Sequence, residues 1–288
     1  MRTWLLAARP KTLPAAIVPV WVGSVLAFSL TGNWSPGLAV CALISALLIQ
    51  VATNLFNDAL DFQKGADTPE RLGPRRVTSS GLVPQATVIR LGIISLAAAC
   101  LVALPLIAAR GWPMLAIGLP SLYFAFGYTG GPWPLAYRGL GELFVLIFFG
   151  LVAVSGTVFV NTGRWFWPES MLAGTQVGMF STVLIAINNL RDVAEDSRST
   201  KRTLAVRFGT TAARIEISLL CLLPPLLGLA LWHNARLSRW PLATLPLGAF
   251  IAWRIWLTPP SAGYNKLLAA GGIQLLLFAI LFTLGALF

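Results

Sequence analysis

The sequence predicts an all-α integral membrane protein, built as a bundle of nine transmembrane helices. Of its 288 residues, 57% are hydrophobic and only 11% are charged, whereas about a quarter of the residues in soluble domains carry charge. The apolar stretches run for about 20 residues, as membrane-spanning helices require, and do not alternate over about ten residues as barrel strands do. Soluble enzymes, disulfide scaffolds, disordered chains and transmembrane barrels are therefore excluded.

Nine apolar segments follow one another along the chain. The predicted spans are about 13–31, 36–57, 87–109, 112–128, 141–160, 169–189, 212–232, 241–257 and 266–287. The fourth and eighth are the shortest and contain Pro120 and Pro246, which spans tolerate when neighbouring groups satisfy the freed carbonyl. Two loops on the same face are long, at about 58–86 and 190–211.

The basic residues orient this bundle. Seventeen of the 21 Lys and Arg residues fall on the N-terminal face and four on the other face. Because cytoplasmic loops are enriched in Lys and Arg, the N-terminus is predicted to be cytoplasmic and the C-terminus to lie on the opposite face. The net charge of +11 is scattered over short loops, which indicates orientation in a lipid bilayer and not a nucleic acid partner.

Cysteine and histidine chemistry is not predicted. Cys41, Cys100 and Cys221 each lie inside an apolar segment, where a free thiol behaves as a small hydrophobic group. The one histidine, His233, falls in a loop on the opposite face and is interpreted as solvated, which excludes a haem held by two imidazoles.

Acidic residues are concentrated in the two long loops, which hold seven of the ten. They are Asp58, Asp61, Asp67, Glu70, Asp192, Glu195 and Asp196. Gln50, Asn54, Asp58 and Asp61 share one helical face by spacing. Asn188 and Asp192 follow Asn54 and Asp58 at the same offset of 134 residues, which suggests two facing acid-bearing helix ends. One domain, 1–288, with a four-helix pseudo-repeat at about 1–134 and 135–265 is expected.

This pattern predicts Mg²⁺ and diphosphate chemistry, because carboxylate and amide oxygens are the ligands that Mg²⁺ prefers and substrate phosphates complete its shell. The predicted metal ligands are Asn54, Asp58, Asp61, Asn188, Asp192 and Asp196. The predicted diphosphate-binding residues are Lys64, Arg75, Arg76, Lys201 and Arg207, by charge. The remaining loop arginines, Arg71, Arg90, Arg198 and Arg214, are interpreted as solvated, and helix capping is the alternative for the acids.

The two acidic motifs resemble those of the UbiA superfamily of intramembrane prenyltransferases. They read NLFNDALDFQKGAD from Asn54 to Asp67 and NNLRDVAED from Asn188 to Asp196. Gly65 stands where the family pattern has its third Asp, and Asp67 comes two residues later. This variant resembles the branch that prenylates 1,4-dihydroxy-2-naphthoate, as do RPKTLP from Arg9, RVTSSGL from Arg76, YTGGPWP from Tyr128, YRGLGE from Tyr137 and KRTLAVRFG from Lys201. Thr200 departs from the Gly expected there.

The resemblance implies a Mg²⁺-dependent enzyme in the bacterial cytoplasmic membrane, with its site at the cytoplasmic face. The implied reaction joins a polyprenyl diphosphate to 1,4-dihydroxy-2-naphthoate and releases diphosphate and CO₂, giving demethylmenaquinol. Other acceptors, namely 4-hydroxybenzoate, homogentisate or a glyceryl phosphate, are the closest alternative. An ion-coupled transporter is the remote one, since its charged sites would lie near the bilayer midplane and the loop acids lie at one face.

Further residues are assigned to catalysis and to the apolar pocket. Asp67, Tyr137 and Glu142 are the catalytic candidates: Asp67 either binds metal or activates the ring, and Glu142 orients the acceptor, accepts a proton or merely caps its helix. An aromatic pocket that shields a carbocation is expected. Its predicted members are Phe56, Tyr123, Phe124, Tyr128 and Arg138.

Overall fold

The computed structural model describes residues 2–67 and 71–288. Every regular element in these two ranges is helical, which confirms the all-α prediction. The long helices are α2 (Pro14–Thr31), α3 (Pro36–Gln63), α4 (Gln85–Arg110), α5 (Trp112–Gly127), α6 (Gly141–Thr162), α7 (Trp167–Arg191), α9 (Leu204–Leu231), α11 (Leu245–Leu257) and α12 (Tyr264–Leu287). Short helices are α1 (Arg2–Ala8), α8 (Val193–Arg198) and α10 (Ala235–Arg239), with 3-10 turns at Pro10–Thr12, Leu135–Tyr137 and Trp240–Thr244.

Each of the nine predicted spans has a helix at its position in the described ranges. Seven of these helices are long and apolar enough to cross a membrane. The exceptions are α5, with 16 residues, and α11, with 13, the two segments that the sequence analysis found shortest. The structure therefore supports an integral membrane bundle with seven full-length spans, and the count of nine crossings stays a prediction.

Helix α3 is longer than predicted and carries both Asp58 and Asp61 within its last turns. The apolar pattern stops near residue 57, but the backbone hydrogen bonding continues to Gln63. Gly65 then ends the helix in the left-handed region, at φ 67°, and Ala66 N–H donates to Asp61 O at 2.9 Å. This is the Schellman geometry, which favours glycine. Asp67 follows, and Glu70 lies outside the described residues.

Helix α7 is the most buried of the seven spans and forms the centre of the bundle. It packs on α2, α6, α9 and α12. Where α6 crosses α7, Gly150 faces Gly174 and Gly178, and a Cβ on Gly150 would lie 2.3 Å from Gly174 O. Residues Leu146–Val152 of α6 form a π-helical segment at this crossing, a distortion that is frequent at functional sites.

Candidate active site

A cavity of about 510 Å³ opens among the N-terminal segment, α3, α5, α6 and α7. Its polar lining comes from both acidic motifs, Asn54, Asn57 and Asp61 on α3 and Asn188 and Asp192 at the end of α7. The apolar lining includes Pro19, Ile49, Phe124, Phe144, Phe148, Phe149, Leu184 and Ile185. The two motifs thus meet at one cavity, as the sequence predicts, and the cavity continues between the helices as an aromatic and aliphatic space.

Asp61 lies on the cavity wall and is held by two side chains. Its Oδ1 accepts a hydrogen bond from the Tyr137 hydroxyl at 2.9 Å, and its Oδ2 is 3.5 Å from an Arg76 nitrogen. Burial, and then the nearby Asp61 carboxylate, raise the pKa of Tyr137 well above its usual value. Tyr137 is therefore a neutral hydrogen-bond donor that orients Asp61.

Arg71 connects the two acidic motifs. Its guanidinium pairs with Asp67 from the first motif and lies 3.3 Å from Asp192 Oδ2 of the second. Arg76 also contacts Asp67, at 3.0 Å. Arg71 was interpreted as solvated, and this interpretation is wrong, because its side chain is only 14% exposed and lines the cavity. Buried carboxylates need such partners, since an unpaired buried charge is costly.

Asp192 is held by its neighbour Arg191. Two guanidinium nitrogens donate to the carboxylate at 2.7 and 2.6 Å, and a third donates to Asn265 Oδ1 at 2.7 Å. Burial alone would raise the pKa of Asp192, but the hydrogen bonds and charge of Arg191 outweigh burial and lower it. Asp192 is consequently an ionised carboxylate with a fixed orientation.

Asp196 and Lys201 form the outer part of the second motif. Lys201 Nζ lies 3.4 Å from Asp196 Oδ1, and Lys201 also lines the cavity. Burial raises the pKa of Asp196 to about 6, even though Lys201 opposes this. The other oxygen, Oδ2, is buried and has no hydrogen-bond partner among the described residues.

The acidic side chains at the cavity are possible ligands of a divalent metal ion. In the described ranges, no group of three or more His, Cys, Asp or Glu side chains stands close enough to hold a metal ion as arranged, because arginines lie between the acids. The donors are nevertheless all oxygens, and the unpartnered Asp196 Oδ2 is such a donor. Carboxylate oxygens beside a cavity suit a hard cation such as Mg²⁺, so the chemistry of these residues fits Mg²⁺ binding.

Two predicted metal ligands have other partners. Asp58 accepts hydrogen bonds from the backbone N–H groups of Val77 and Thr78, at 3.1 and 2.9 Å, and does not line the cavity. Asp58 therefore holds the RVTSSGL segment in place, whereas the sequence predicted that it would bind metal. Asn54 lines the cavity, but its amide donates to Ala8 O at 3.0 Å and to Thr12 Oγ1 at 3.1 Å. It fixes the N-terminal segment on α3.

The predicted phosphate-binding residues divide into two groups. Arg75, Arg76 and Lys201 line the cavity. Lys64 does not: it donates to Thr129 O and lies 4.1 Å above the Tyr137 ring. Arg207 is exposed and donates to the Arg202 carbonyl, and Gly139 packs beside its guanidinium.

Two of the five residues predicted for the aromatic pocket lie at the cavity. Phe124 and Tyr128 line the cavity. Phe56 is buried elsewhere, against Phe126; Tyr123 is 57% exposed on the outer face of α5. Arg138 is exposed and stacks over Trp133 at 3.8 Å. Successive residues of a helix point about 100° apart, so Phe124 lines the cavity while Tyr123 faces outward.

Several cavity residues were not predicted from the sequence. They are Asn57, Thr129, Arg9, Arg71, Arg191, Asn189, Asn265, Phe144, Phe148 and Phe149. Burial, and then the charge of Arg71, lower the pKa of Arg9 to about 10. Arg9 also has a positive φ of 50°, which is uncommon outside glycine. Its position in RPKTLP was the one available signal.

The remaining catalytic candidates lie beside the cavity. Glu142 is 4% exposed and accepts a hydrogen bond from Asn189 at 2.7 Å. Asp67 and Tyr137 are 7% exposed and contact the site through Arg71, Arg76 and Asp61, as described above. These three residues therefore support the residues of the cavity wall, and the structure brings all of them to the same end of the bundle.

Comparison with known proteins identifies the family. A family model described as the UbiA prenyltransferase family matches residues 16–263. The 1,4-dihydroxy-2-naphthoate octaprenyltransferase of Escherichia coli (strain K12) is 38% identical over 219 residues, 74% of this chain and 70% of that protein. The protein of the same name from Haemophilus influenzae is 32% identical over 302 aligned residues, 100% of this chain and 96% of that protein.

A solved structure agrees at the level of the fold. A UbiA homolog from Archaeoglobus fulgidus bound to GPP and Mg²⁺ superposes with a TM-score of 0.71 at 16% identity, covering 99% of both chains. The family model and the relatives confirm the resemblance found in the acidic motifs over most of the chain, and with it the assignment as a prenyltransferase enzyme. The chain belongs to the UbiA prenyltransferase family.

Proposed function

We propose that this protein transfers a polyprenyl group from polyprenyl diphosphate to 1,4-dihydroxy-2-naphthoate, with loss of diphosphate and CO₂, to give demethylmenaquinol in menaquinone biosynthesis. The observation that carries the proposal is the cavity, which joins a charged end, with Asp61 and Asp192, to an aromatic end. The naphthoate acceptor is supported by the names of the relatives described above.

At the charged end, the acids and bases have separate tasks. Asp61, Asp192 and Asp196, with the amide oxygens of Asn57 and Asn188, would hold Mg²⁺. Bound Mg²⁺ supplies Lewis-acid stabilisation of the departing diphosphate. Arg75, Arg76 and Lys201 contact phosphate oxygens through charge-assisted hydrogen bonds. Arg71 and Arg9 add positive charge at the same end, so the leaving group meets cations of the protein itself.

At the other end, the cavity wall protects the allylic cation from water. Phe144 and Phe148 stack with ring centroids 4.4 Å apart, and Phe124 meets both rings edge to face at 5.0 and 5.4 Å. Aromatic faces stabilise cations by electrostatic attraction, most strongly where water is excluded. The prenyl chain lies along this wall and continues among aliphatic side chains.

The proposal includes the topology. The nine helical segments cross the bacterial cytoplasmic membrane, with the N-terminus and the acidic motifs at the cytoplasmic face. The uneven distribution of Lys and Arg supports this. The paired spacings Asn54–Asp58 and Asn188–Asp192, each of four residues, support a pseudo-repeat within one domain. A reporter enzyme that is active only outside the cytoplasm should give a signal when it is fused after Phe288. A signal from a reporter that is active only in the cytoplasm would contradict the odd number of crossings.

Acceptor identity is tested with purified protein in lipid nanodiscs. The protein is incubated with Mg²⁺, a polyprenyl diphosphate and either 1,4-dihydroxy-2-naphthoate or 4-hydroxybenzoate, and products are measured by mass spectrometry. The expected product has the mass of the prenylated naphthoate less CO₂, and EDTA should abolish it. Preferential formation of a prenylated hydroxybenzoate that retains its carboxylate would overturn the acceptor assignment, and no transfer to any acceptor would overturn the function.

A further inference from the structure

Glu142 stands at the N-terminus of α6, where an acidic side chain ordinarily caps the helix or stabilises its dipole. Here the helix has no side-chain cap. The Glu142 carboxylate turns inward instead, and its Oε1 accepts a hydrogen bond from Asn189 Nδ2 at 2.7 Å. Its Oε2 is buried without a hydrogen-bond partner among the described residues. The buried Glu142 carboxylate therefore makes one short hydrogen bond, to the Asn189 amide.

That contact fixes which way the Asn189 amide points. A carboxylate only accepts hydrogen bonds, so the NH₂ group of Asn189 must face Glu142 and its carbonyl oxygen must face away. Asn189 lines the cavity, and the hydrogen bonds of residues 2–67 and 71–288 use its Nδ2 but not its Oδ1. The carbonyl oxygen is therefore directed at the cavity as a fixed acceptor.

A neutral acceptor oxygen binds a ligand group that can donate a hydrogen bond. Diphosphate and carboxylate groups offer oxygens that also accept, and a prenyl chain has no hydrogen to donate, whereas a ring hydroxyl donates. The wall beside it suits an aromatic ring: Tyr128 and Phe144 line the same cavity with centroids 5.8 Å apart. The Tyr128 hydroxyl packs over Gly141, next to Glu142, where a Cβ would approach it to 2.7 Å.

We propose that Asn189 binds a ring hydroxyl of the aromatic acceptor through its side-chain oxygen, and that Glu142 is the positioning residue that holds this amide in the binding orientation. The ligand class is a hydroxylated aromatic ring, a phenol or hydroquinone, seated against Tyr128 and Phe144. This inference rests on the proposed function, because it concerns the acceptor of that reaction. It replaces the expectation that Glu142 contacts the acceptor or takes its proton directly.

The test measures KM for the acceptor and for the polyprenyl diphosphate separately. Asn189→Ala should raise the acceptor KM about tenfold, the effect of one hydrogen bond lost from a buried site, and leave the diphosphate KM within about twofold. Glu142→Leu should do the same, because the amide can then rotate. Glu142→Gln keeps an acceptor oxygen beside Asn189 and should restore the acceptor KM to within about twofold of wild type.

A matched control is Thr182→Val. Thr182 donates to Gly178 O at 2.8 Å and lies 3.5 Å from the Glu142 backbone carbonyl, but it does not line the cavity, so both KM values should be unchanged. An unchanged acceptor KM in Asn189→Ala overturns the proposal, as does an equal rise in both KM values. If Glu142→Leu fails to fold, Asn189→Ala and Glu142→Gln still decide it. A wild-type protein that prenylates no acceptor refutes the proposed function itself, whereas an active wild type with a normal Asn189→Ala refutes only this inference.

Discussion

Gly150→Ala is a sharp test of how the α6–α7 crossing shapes the cavity. The added Cβ would lie 2.3 Å from Gly174 O and 2.6 Å from Gly178 Cα. Both are backbone atoms in the most buried helix, so no rotamer change relieves the contact. The helices must separate by roughly 0.7 Å to reach even 3.0 Å, and a gap of that size forfeits about a quarter to a half of each van der Waals contact along the crossing.

The expected cost follows from this geometry. Overpacking a buried position typically costs about 1–3 kcal/mol, and contacts with two backbone segments place Gly150→Ala at the upper end, about 3 kcal/mol. Since about 1 kcal/mol shifts the unfolding midpoint of a chain of this size by roughly 2 °C, the midpoint should fall by about 6 °C. Prenyl transfer should fall as well, because Phe144 and Phe148 lie on the displaced helix.

The assay is thermal unfolding in detergent, followed by intrinsic fluorescence, with activity measured on the same samples. Gly118→Ala is the matched control, because Gly118 lies on α5 with nothing within 4 Å of its added Cβ. There, the better helix propensity of Ala stabilises by about 1 kcal/mol at most, so the midpoint should stay unchanged or rise by about 2 °C at most. A Gly150→Ala midpoint within about 2 °C of wild type would refute the reasoning.

Three further outcomes are expected at the charged and aromatic ends of the cavity. Asp61→Asn and Asp192→Asn should each lower kcat by about a hundredfold or more with the protein still folded, since each removes a carboxylate that would hold the Mg²⁺ needed to stabilise the leaving group; near-normal turnover in either variant would contradict this. Burial raises the pKa of Asp196 to about 6, and a metal ligand must be deprotonated. The Mg²⁺ concentration for half activation should therefore rise as pH falls below about 6 and level off above it. A constant concentration from pH 5 to 8 would exclude Asp196 as a ligand. Phe124→Leu should lower turnover, whereas Tyr123→Leu, on the outer face of α5, should not, and the reverse order would show that the cavity wall is assigned incorrectly.

Hydropathy predicted where the helices lie along the chain, but it did not predict where they end. The apolar pattern stops near residue 57, whereas α3 continues to Gln63. Polar residues on the last turns face the cavity and its loops, so they reduce hydropathy without interrupting the helix. Gly65 was noted as a departure from the acidic pattern, and its physical role is to end the helix with positive φ, which places Asp67 beside Arg71 and Arg76.

Within the site, spacing predicted the helical face but not the partner of each residue. Relative to Asp61, Asn57 lies about 40° to one side around the helix axis and Asp58 about 60° to the other. Asn57 lines the cavity and accepts a hydrogen bond from Thr129, whereas Asp58 meets the backbone of the following loop. A face of about 100° contains both residues, and only the neighbouring elements decide which of them is presented to substrate.

The buried arginines explain how so many acids are tolerated at one place. The sequence does not distinguish an exposed loop arginine from a buried one. The enrichment of Lys and Arg in cytoplasmic loops explains the presence of both kinds. In the fold, Arg71 reaches Asp67 and Asp192, Arg76 reaches Asp61 and Asp67, and each pair offsets the desolvation of its carboxylates. The same guanidinium groups are the natural partners of phosphate oxygens. If a divalent cation and a diphosphate bound together as proposed, the acids would pair with the metal and the arginines with the phosphates. Pairing with buried acids therefore accounts for the burial of Arg71 and Arg76 better than a role in membrane orientation does.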